Sequence, residues 1–470
     1  MSPSLRDPSA PARVKTKAAL WIAGAVGLVL AGACAFVLIH PERAPAPIAG
    51  LVEDITGANP KPVRLMLPPQ APLSALAALG KELFNDPALS ASGTQSCASC
   101  HSPARAYGPP KGDAMQMGGA HMEMSGARPP PSLTYLYRQA AFSIGPEAAD
   151  IEVPMNFAQV ASQAAGLTRA VKTASKAPTA PAIVPQGGLF WDGRNDTLMS
   201  QASGPLLNPA EMANTSIAQV GQKLLHAKYI GQFAPLFGKN ILSEPEVLVA
   251  EAMSAVGRYQ IEDPQFHRFD SKYDLWLQGK ARLSQAELKG LRLFNDPAKA
   301  NCAGCHISAA TPDGLPPLFT DTQYEALGVP RNPHIPANKD PSYFDMGLCG
   351  PYRKDLAKQT QYCGMFLTPT LRNSANRGVY FHNGVYHNLQ QVMDFYNFRN
   401  TNPERIYPKD ASGKVAKYND LPAQYHANID VVDAPFDRKL GDKPAMTTDE
   451  THDIIAFLKT LNDGYKPGAR

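Results

Sequence analysis

Apolar residues recur at helical spacing in five places along the chain. Leu73, Leu76, Leu79 and Leu83 share one face of a segment that ends at Phe84. Leu288, Leu291 and Phe294 do the same in a segment opened by Leu283-Ser284, where the serine can cap a helix. Asn388 can cap a helix carrying Leu389, Val392, Met393 and Tyr396. Thr448-Asp449-Glu450 caps a last helix with Ile454, Ile455, Phe457, Leu458 and Leu461. An Ala-rich stretch, Asn156 to Ser175, places Phe157, Val160, Leu167 and Val171 on one face and reads as a surface insertion. The pattern predicts a mainly α protein.

One run is different. From Ala18 to Ile39 there are 22 residues without a charge, the length of a membrane-crossing helix. Residues 1–17 carry Arg6, Arg13, Lys15 and Lys17 against Asp7, so the positive-inside rule keeps them in the cytoplasm and exports the chain beyond His40. The predicted order is a cytoplasmic tail (1–17), a transmembrane anchor (18–39) and a Pro/Ala-rich tether (40–68). A cleaved signal peptide would have a shorter apolar core, roughly 7–15 residues.

Composition narrows the picture only a little. Proline, 44 of 470 residues, is about twice its usual ~5% share, which suits chain wrapped irregularly around a cofactor. The net charge of +4 is too small to point to nucleic acid. Of seven cysteines, Cys34 lies in the apolar run, and Cys349 and Cys363 are predicted to pair in an oxidising compartment.

The other four cysteines belong to a sequence written twice. Leu83-Phe84-Asn85-Asp86-Pro87-Ala88 precedes Cys97-Ala98-Ser99-Cys100-His101, and Leu293-Phe294-Asn295-Asp296-Pro297-Ala298 precedes Cys302-Ala303-Gly304-Cys305-His306. C-x-x-C-H is the attachment signature of c-type haem. Two thiols bond the haem and the adjacent histidine, His101 or His306, reaches its iron. Two covalent haems are therefore expected, in two cytochrome c-like domains in tandem.

Other residues have chemistry at hand. Between the haem motifs lies Gly187-Gly-Leu-Phe-Trp-Asp-Gly-Arg194, an unusual setting for Trp191. Glu211 comes just after Asn208-Pro209, a helix-start pattern in which a first-turn carboxylate suits the helix dipole. A loop with Met115, Met117, His121, Met122 and Met124 could pack on a haem edge, supply His121 as an iron ligand, or form a soft copper site. The second haem iron has Tyr396 and Met393 as candidate ligands, with His382 and His387 behind them.

Taken in order, LGKELFNDPALSASGTQSCASCH, FWDGR, QASGPLLNPAEM, GLRLFNDP with CAGCH, TPTLRN, YFHNG and PFDR…FLKTLND resemble the bacterial dihaem cytochrome c peroxidase and MauG superfamily, from about residue 70 to 463. The resemblance implies a peroxidatic N-terminal haem domain (69–265) and an electron-transfer C-terminal haem domain (266–470). Gln201 and Glu211, ten residues apart, would be the distal-pocket pair, with Glu211 the acid/base that moves a proton between peroxide oxygens. Trp191 would carry electrons between the haems. Tyr396 aligns with the second haem's methionine ligand in many peroxidases, and MauG-like enzymes use tyrosine there; Met393, one turn earlier, is the alternative. His121, seven residues before Arg128, has the spacing of a removable distal histidine. The family's calcium site uses an Asn where this chain has Pro129, so calcium is a weaker expectation than haem. The expected protein is a single-pass inner-membrane peroxidase facing the periplasm, taking electrons from a small cytochrome c or cupredoxin to reduce hydrogen peroxide. A MauG-like oxidase of a partner protein and a non-catalytic dihaem electron carrier are the alternatives.

Overall fold

The computed structural model describes residues 35–146 and 183–468, with Gly32. The predicted anchor lies largely outside these residues, as does the predicted helix from Asn156 to Ser175. Among the described residues no helix is long and apolar enough to cross a membrane.

The principal helices are α1 (Ala46–Thr56), α2 (Ala75–Phe84), α3 (Leu198–Leu207), α4 (Ile217–Leu225), α5 (Pro245–Glu262), α6 (Lys272–Leu277), α7 (Gln285–Asn295), α8 (Leu389–Phe398) and α9 (Thr448–Lys459). Among the described residues, strand is confined to three two-stranded antiparallel ribbons: β1 (Met117–Gly118) with β2 (Met124–Ser125), β3 (Ser143–Pro146) with β4 (Ile183–Gln186), and β5 (Tyr324–Glu325) with β6 (Phe366–Leu367). The fold is mainly α, as the apolar spacing predicts. Two caps fall where the sequence puts them: Ser284 and Asn388 each accept a backbone N–H in the first turn of α7 and α8. The cap of α9 is Thr447, one residue before the expected Thr448, and Ser74 caps α2.

The written repeat is a physical repeat. Asp86 and Asp296 accept from the N–H of Ala88 and Ala298, both at 2.9 Å. Asn85 and Asn295 donate back to the carbonyls of Lys81 and Leu291 at 2.9 and 2.8 Å. Each motif-bearing helix then packs on a second helix, α2 on α5 and α7 on α9. Both contacts pass through a glycine four residues before the repeat's phenylalanine. A Cβ on Gly80 would collide with the Ala255 carbonyl, and one on Gly290 with the Asp453 carbonyl. Two cores result. The first gathers Leu79, Leu83, Phe84, Tyr107, Val256 and Phe266; the second gathers Leu288, Phe294, Phe319, Ile454, Phe457 and Leu461.

The tether expectation needs correcting. Residues 46–66 are not free chain but part of the second haem unit. Arg292 of α7 holds Glu53 and Asp54 at 2.9 and 2.6 Å, and Trp276 Nε1 donates to the Gly57 carbonyl at 3.1 Å. Val63 and Met66 donate backbone N–H groups to Leu277 and Gly314 at 2.8 and 2.7 Å. Local sequence pattern does not reveal this docking, because the partners lie more than 200 residues ahead.

Buried polar contacts join the units. Tyr135 donates to Asp463 at 2.6 Å, and its ring lies 4.8 Å from the guanidinium of Arg372, which the second unit's own Asp274 holds by two bonds at 2.9 and 2.8 Å with no side-chain surface exposed. Cys349 and Cys363 form the predicted disulfide.

Candidate active site

Each Cys-x-x-Cys-His segment forms the same turn, with the histidine N–H bonded to the first cysteine carbonyl at 2.9 Å (His101) and 2.8 Å (His306). His101 Nδ1 donates to the Tyr107 carbonyl and His306 Nδ1 to the Phe319 carbonyl, both at 2.8 Å. That bond fixes the tautomer and leaves Nε2 as the ligating nitrogen. Burial pushes both imidazoles down to about 4, so they are neutral, as a metal ligand must be.

Two cavities meet these turns. The first, about 350 Å³, is lined by Cys97, Cys100, His101, Gln201, Glu211 and Arg194. The second, about 270 Å³, is lined by Cys302, Cys305, His306, Met393, Tyr396 and Arg377. Both fit haem. In the second, Arg377 is half-buried; its Nη2 donates to the carbonyls of Thr370 and Arg372 at 2.8 Å each, its Nε is unpartnered among the described residues, and burial lowers its pKa to about 10. With the unpartnered Ser374 hydroxyl beside it, it suits a porphyrin propionate. In the first, Gln95 and Gln260 each present a buried, unpartnered amide oxygen.

Glu211 is not in the first turn of a helix. α3 ends at Leu207, and Glu211 sits in the turn beyond it. Asn208 organises that turn: its Oδ1 accepts from Ala210 N at 3.0 Å and its Nδ2 donates to Glu211 Oε1 at 2.7 Å. Burial raises the Glu211 pKa, opposed first by the Arg194 charge and then by the Asn208 bond. Its carboxylate is close enough to Cys97 and Cys100 to push both thiols further up, burial being the main cause. Gln201, buried on α3, lines both cavities.

Trp191 also lines both cavities, with Phe190 and the run Pro129–Pro131. It is held on three sides. Its Nε1 donates to the Pro129 carbonyl at 3.0 Å, and its own carbonyl accepts from Leu367 N at 3.0 Å. The next residue, Asp192, is fully buried and accepts from Arg128 at 2.8 Å and Arg194 at 2.7 Å. Gly193 (φ 63°) must be glycine, since a Cβ there would strike the Tyr324 hydroxyl.

Three expectations do not come together. His121 is exposed and does not line the first cavity, because the β1–β2 hairpin carries it to the surface. The copper reading fails on register: Met117 pairs with Ser125 and Gly118 with Met124, so Met117 and Met124 point to opposite faces. For calcium, the Pro129 carbonyl is bonded to Trp191, and Asp192 and Asp345 are satisfied by Arg128. Among the described residues no group of three or more His, Cys, Asp or Glu could hold a metal ion. His387 is exposed, whereas His382 is buried against Phe366 beside the second cavity. Asn208 and Arg194 were missed as site residues. Both lie inside quoted motifs, but nothing in the bare sequence says that they face Glu211.

A mainly helical pair of units, each opening a Cys-x-x-Cys-His turn onto its own cavity, defines a dihaem c-type oxidoreductase. The chain belongs to the di-haem cytochrome c peroxidase family, CCP_MauG, whose pattern matches residues 74–282. It is 33% identical to the methylamine utilization protein MauG of Paracoccus denitrificans over 84% of this chain and 90% of that protein. It is 27% identical to the cytochrome c551 peroxidase of Nitrosomonas europaea over 76% and 82% of the two chains. Its fold is similar to the crystal structure of the diheme peroxidase BthA from Burkholderia thailandensis, with a TM-score of 0.70, 35% identity and coverage of 86% and 89%. Membership brings two haems and a peroxidase-type oxidoreductase activity.

Proposed function

We propose that the protein reduces hydrogen peroxide to water at the first cavity, with electrons that enter at the second from a small periplasmic cytochrome c or cupredoxin. The overall change is one peroxide, two electrons and two protons giving two waters. Haem supplies the iron that accepts peroxide and exchanges electrons. Glu211 takes the proton from one peroxide oxygen and delivers it to the other, so that the departing oxygen leaves as water. Gln201 beside it orients the peroxide, and Trp191 gives electrons an aromatic stepping point between the cavities. The observation that carries this reading is a half-buried carboxyl of raised pKa, bonded to Asn208, in the cavity that the Cys97–Cys100 turn lines. Protein carrying both haems, given peroxide and a reduced small cytochrome, should oxidise two donor equivalents per peroxide consumed. Absence of turnover would refute the reading.

A MauG-like oxidation of a partner protein is the second reading, favoured by Tyr396. This tyrosine lines the second cavity and stacks on Phe436 at 5.2 Å. A phenolate ligand favours ferric iron and would suit storage of oxidising equivalents. Absorption and EPR spectra of Tyr396→Phe should differ sharply from wild type, with Met393→Leu unchanged. The reverse pattern would assign the ligand to Met393 and remove the case for this reading.

The uncharged run 18–39 would hold the catalytic units on the periplasmic face of the inner membrane. Its length and the basic residues before it support this.

A further inference from the structure

Helix α1 has one face packed and one face bare. Ala49 and Val52 are buried, and its only charged residues, Glu53 and Asp54, are engaged by Arg292. The opposite side carries Ile48, Leu51 and Ile55, which are 40%, 60% and 61% exposed. At spacings of three and four they form one apolar stripe. Phe36 and Ile39, just before the helix, are exposed as well.

Position in the chain says what covers the stripe. Residues 40–45 are all that separate the uncharged run 18–39 from α1. Six residues reach at most ~20 Å when extended, and Pro41–Arg43 is wound into a helical turn. The helix therefore begins close to where the run ends. Charge agrees: Arg43 before the helix, Lys61 and Arg64 after it, and Arg282, bridged to Ala58, are all exposed. Glu42, beside Arg43, is the acidic exception. An apolar stripe flanked by cations is the pattern of a helix lying in the headgroup layer of an anionic bilayer.

We infer that the Ile48–Leu51–Ile55 face of α1 lies on the anionic inner-membrane surface, so that the second haem unit is the membrane-proximal one and is held in a fixed orientation. The inference rests on reading 18–39 as an anchor. An anchor alone would let the units swivel. A second contact, fastened to α7 through Arg292, prevents it.

The test uses the full-length holoprotein in phosphatidylglycerol-containing vesicles doped with a phospholipid bearing a photoactivatable diazirine, with labelled peptides mapped by mass spectrometry. Peptides from 18–39 and from 46–56 should both be labelled, at least fivefold above α4 in the first unit. The double variant Leu51→Glu/Ile55→Glu, with unchanged haem spectra, should lose the label on 46–56 and keep it on 18–39. Label on 18–39 with none on 46–56 overturns the inference and leaves the anchor standing. Label on neither overturns the anchor reading itself. Label on 46–56 that survives the double variant, or crosslinks between the 46–56 segments of two copies in place of lipid label, also overturns the inference.

Discussion

Asn208 donates one hydrogen bond to Glu211 Oε1, and that bond opposes the burial that raises the carboxyl's pKa. A donor to a carboxylate stabilises its charged form, so its loss must raise the pKa further. In Asn208→Ala the proton-accepting form of Glu211 would then appear only at higher pH. The acid limb of the pH–kcat/KM profile for peroxide should move upward, and an unmoved limb would show that Asn208 does not tune the acid/base. At this scale the sequence was partly legible. Glu211 and Gln201 could be named from spacing within a family motif, and both line the first cavity. Asn208 could not, because it reads as a helix start, while in the fold α3 has already ended and the side chain serves a turn. Nor could the fate of His121. Its seven-residue spacing from Arg128 is kept, but it sits in the loop of the β1–β2 hairpin, which carries it away from the cavity.

The glycines at the two helix contacts belong to the scale of elements. Gly80 lies against the Ala255 carbonyl and Gly290 against the Asp453 carbonyl, too close for a Cβ. Gly80→Ala and Gly290→Ala should therefore each force the helix pair apart and destabilise by about 1–3 kcal/mol, the usual cost of overpacking. Urea unfolding of the holoprotein would read this, and a wild-type midpoint in both variants would contradict it. These glycines were visible in the sequence, four residues before Phe84 and Phe294. Their role is not legible there, because glycine inside a helix reads as a weakness until the partner helix is known. The helices α2, α7, α8 and α9 are legible in the sequence, since apolar faces are local properties; α1 and α3 to α6, the long α5 among them, are not. The docking of α1 on the second unit is not legible either, since Glu53, Asp54 and Arg292 are ordinary exposed charges until the fold brings them together.

At the scale of the molecule, the second unit supplies parts of the first unit's surroundings. The loop closed by Cys349 and Cys363 carries Arg353, which donates to the carbonyls of Asp192 and Gly193 at 3.1 and 3.0 Å. It also carries Tyr352, which lines the first cavity with Arg128 4.6 Å from its ring. Replacing both cysteines by serine should cost about 3 kcal/mol, the chain-entropy value for a loop of this length, and should loosen the Trp191 loop with it. Calorimetry of oxidised wild type against Cys349→Ser/Cys363→Ser checks the first part; equal melting would contradict it. The proposed division of labour between the cavities rests on such asymmetry. The repeat makes two like haem turns, but Glu211 and Asn208 line the first cavity alone, and Tyr396 and Met393 the second alone. That division is tested most directly by steady-state peroxide turnover of Glu211→Gln, with both haems covalently present and a reduced small cytochrome as donor. The account predicts a fall of roughly 10²- to 10⁴-fold, the usual worth of a positioned acid/base, with the spectrum of the second haem unchanged. Turnover at the wild-type rate would contradict it.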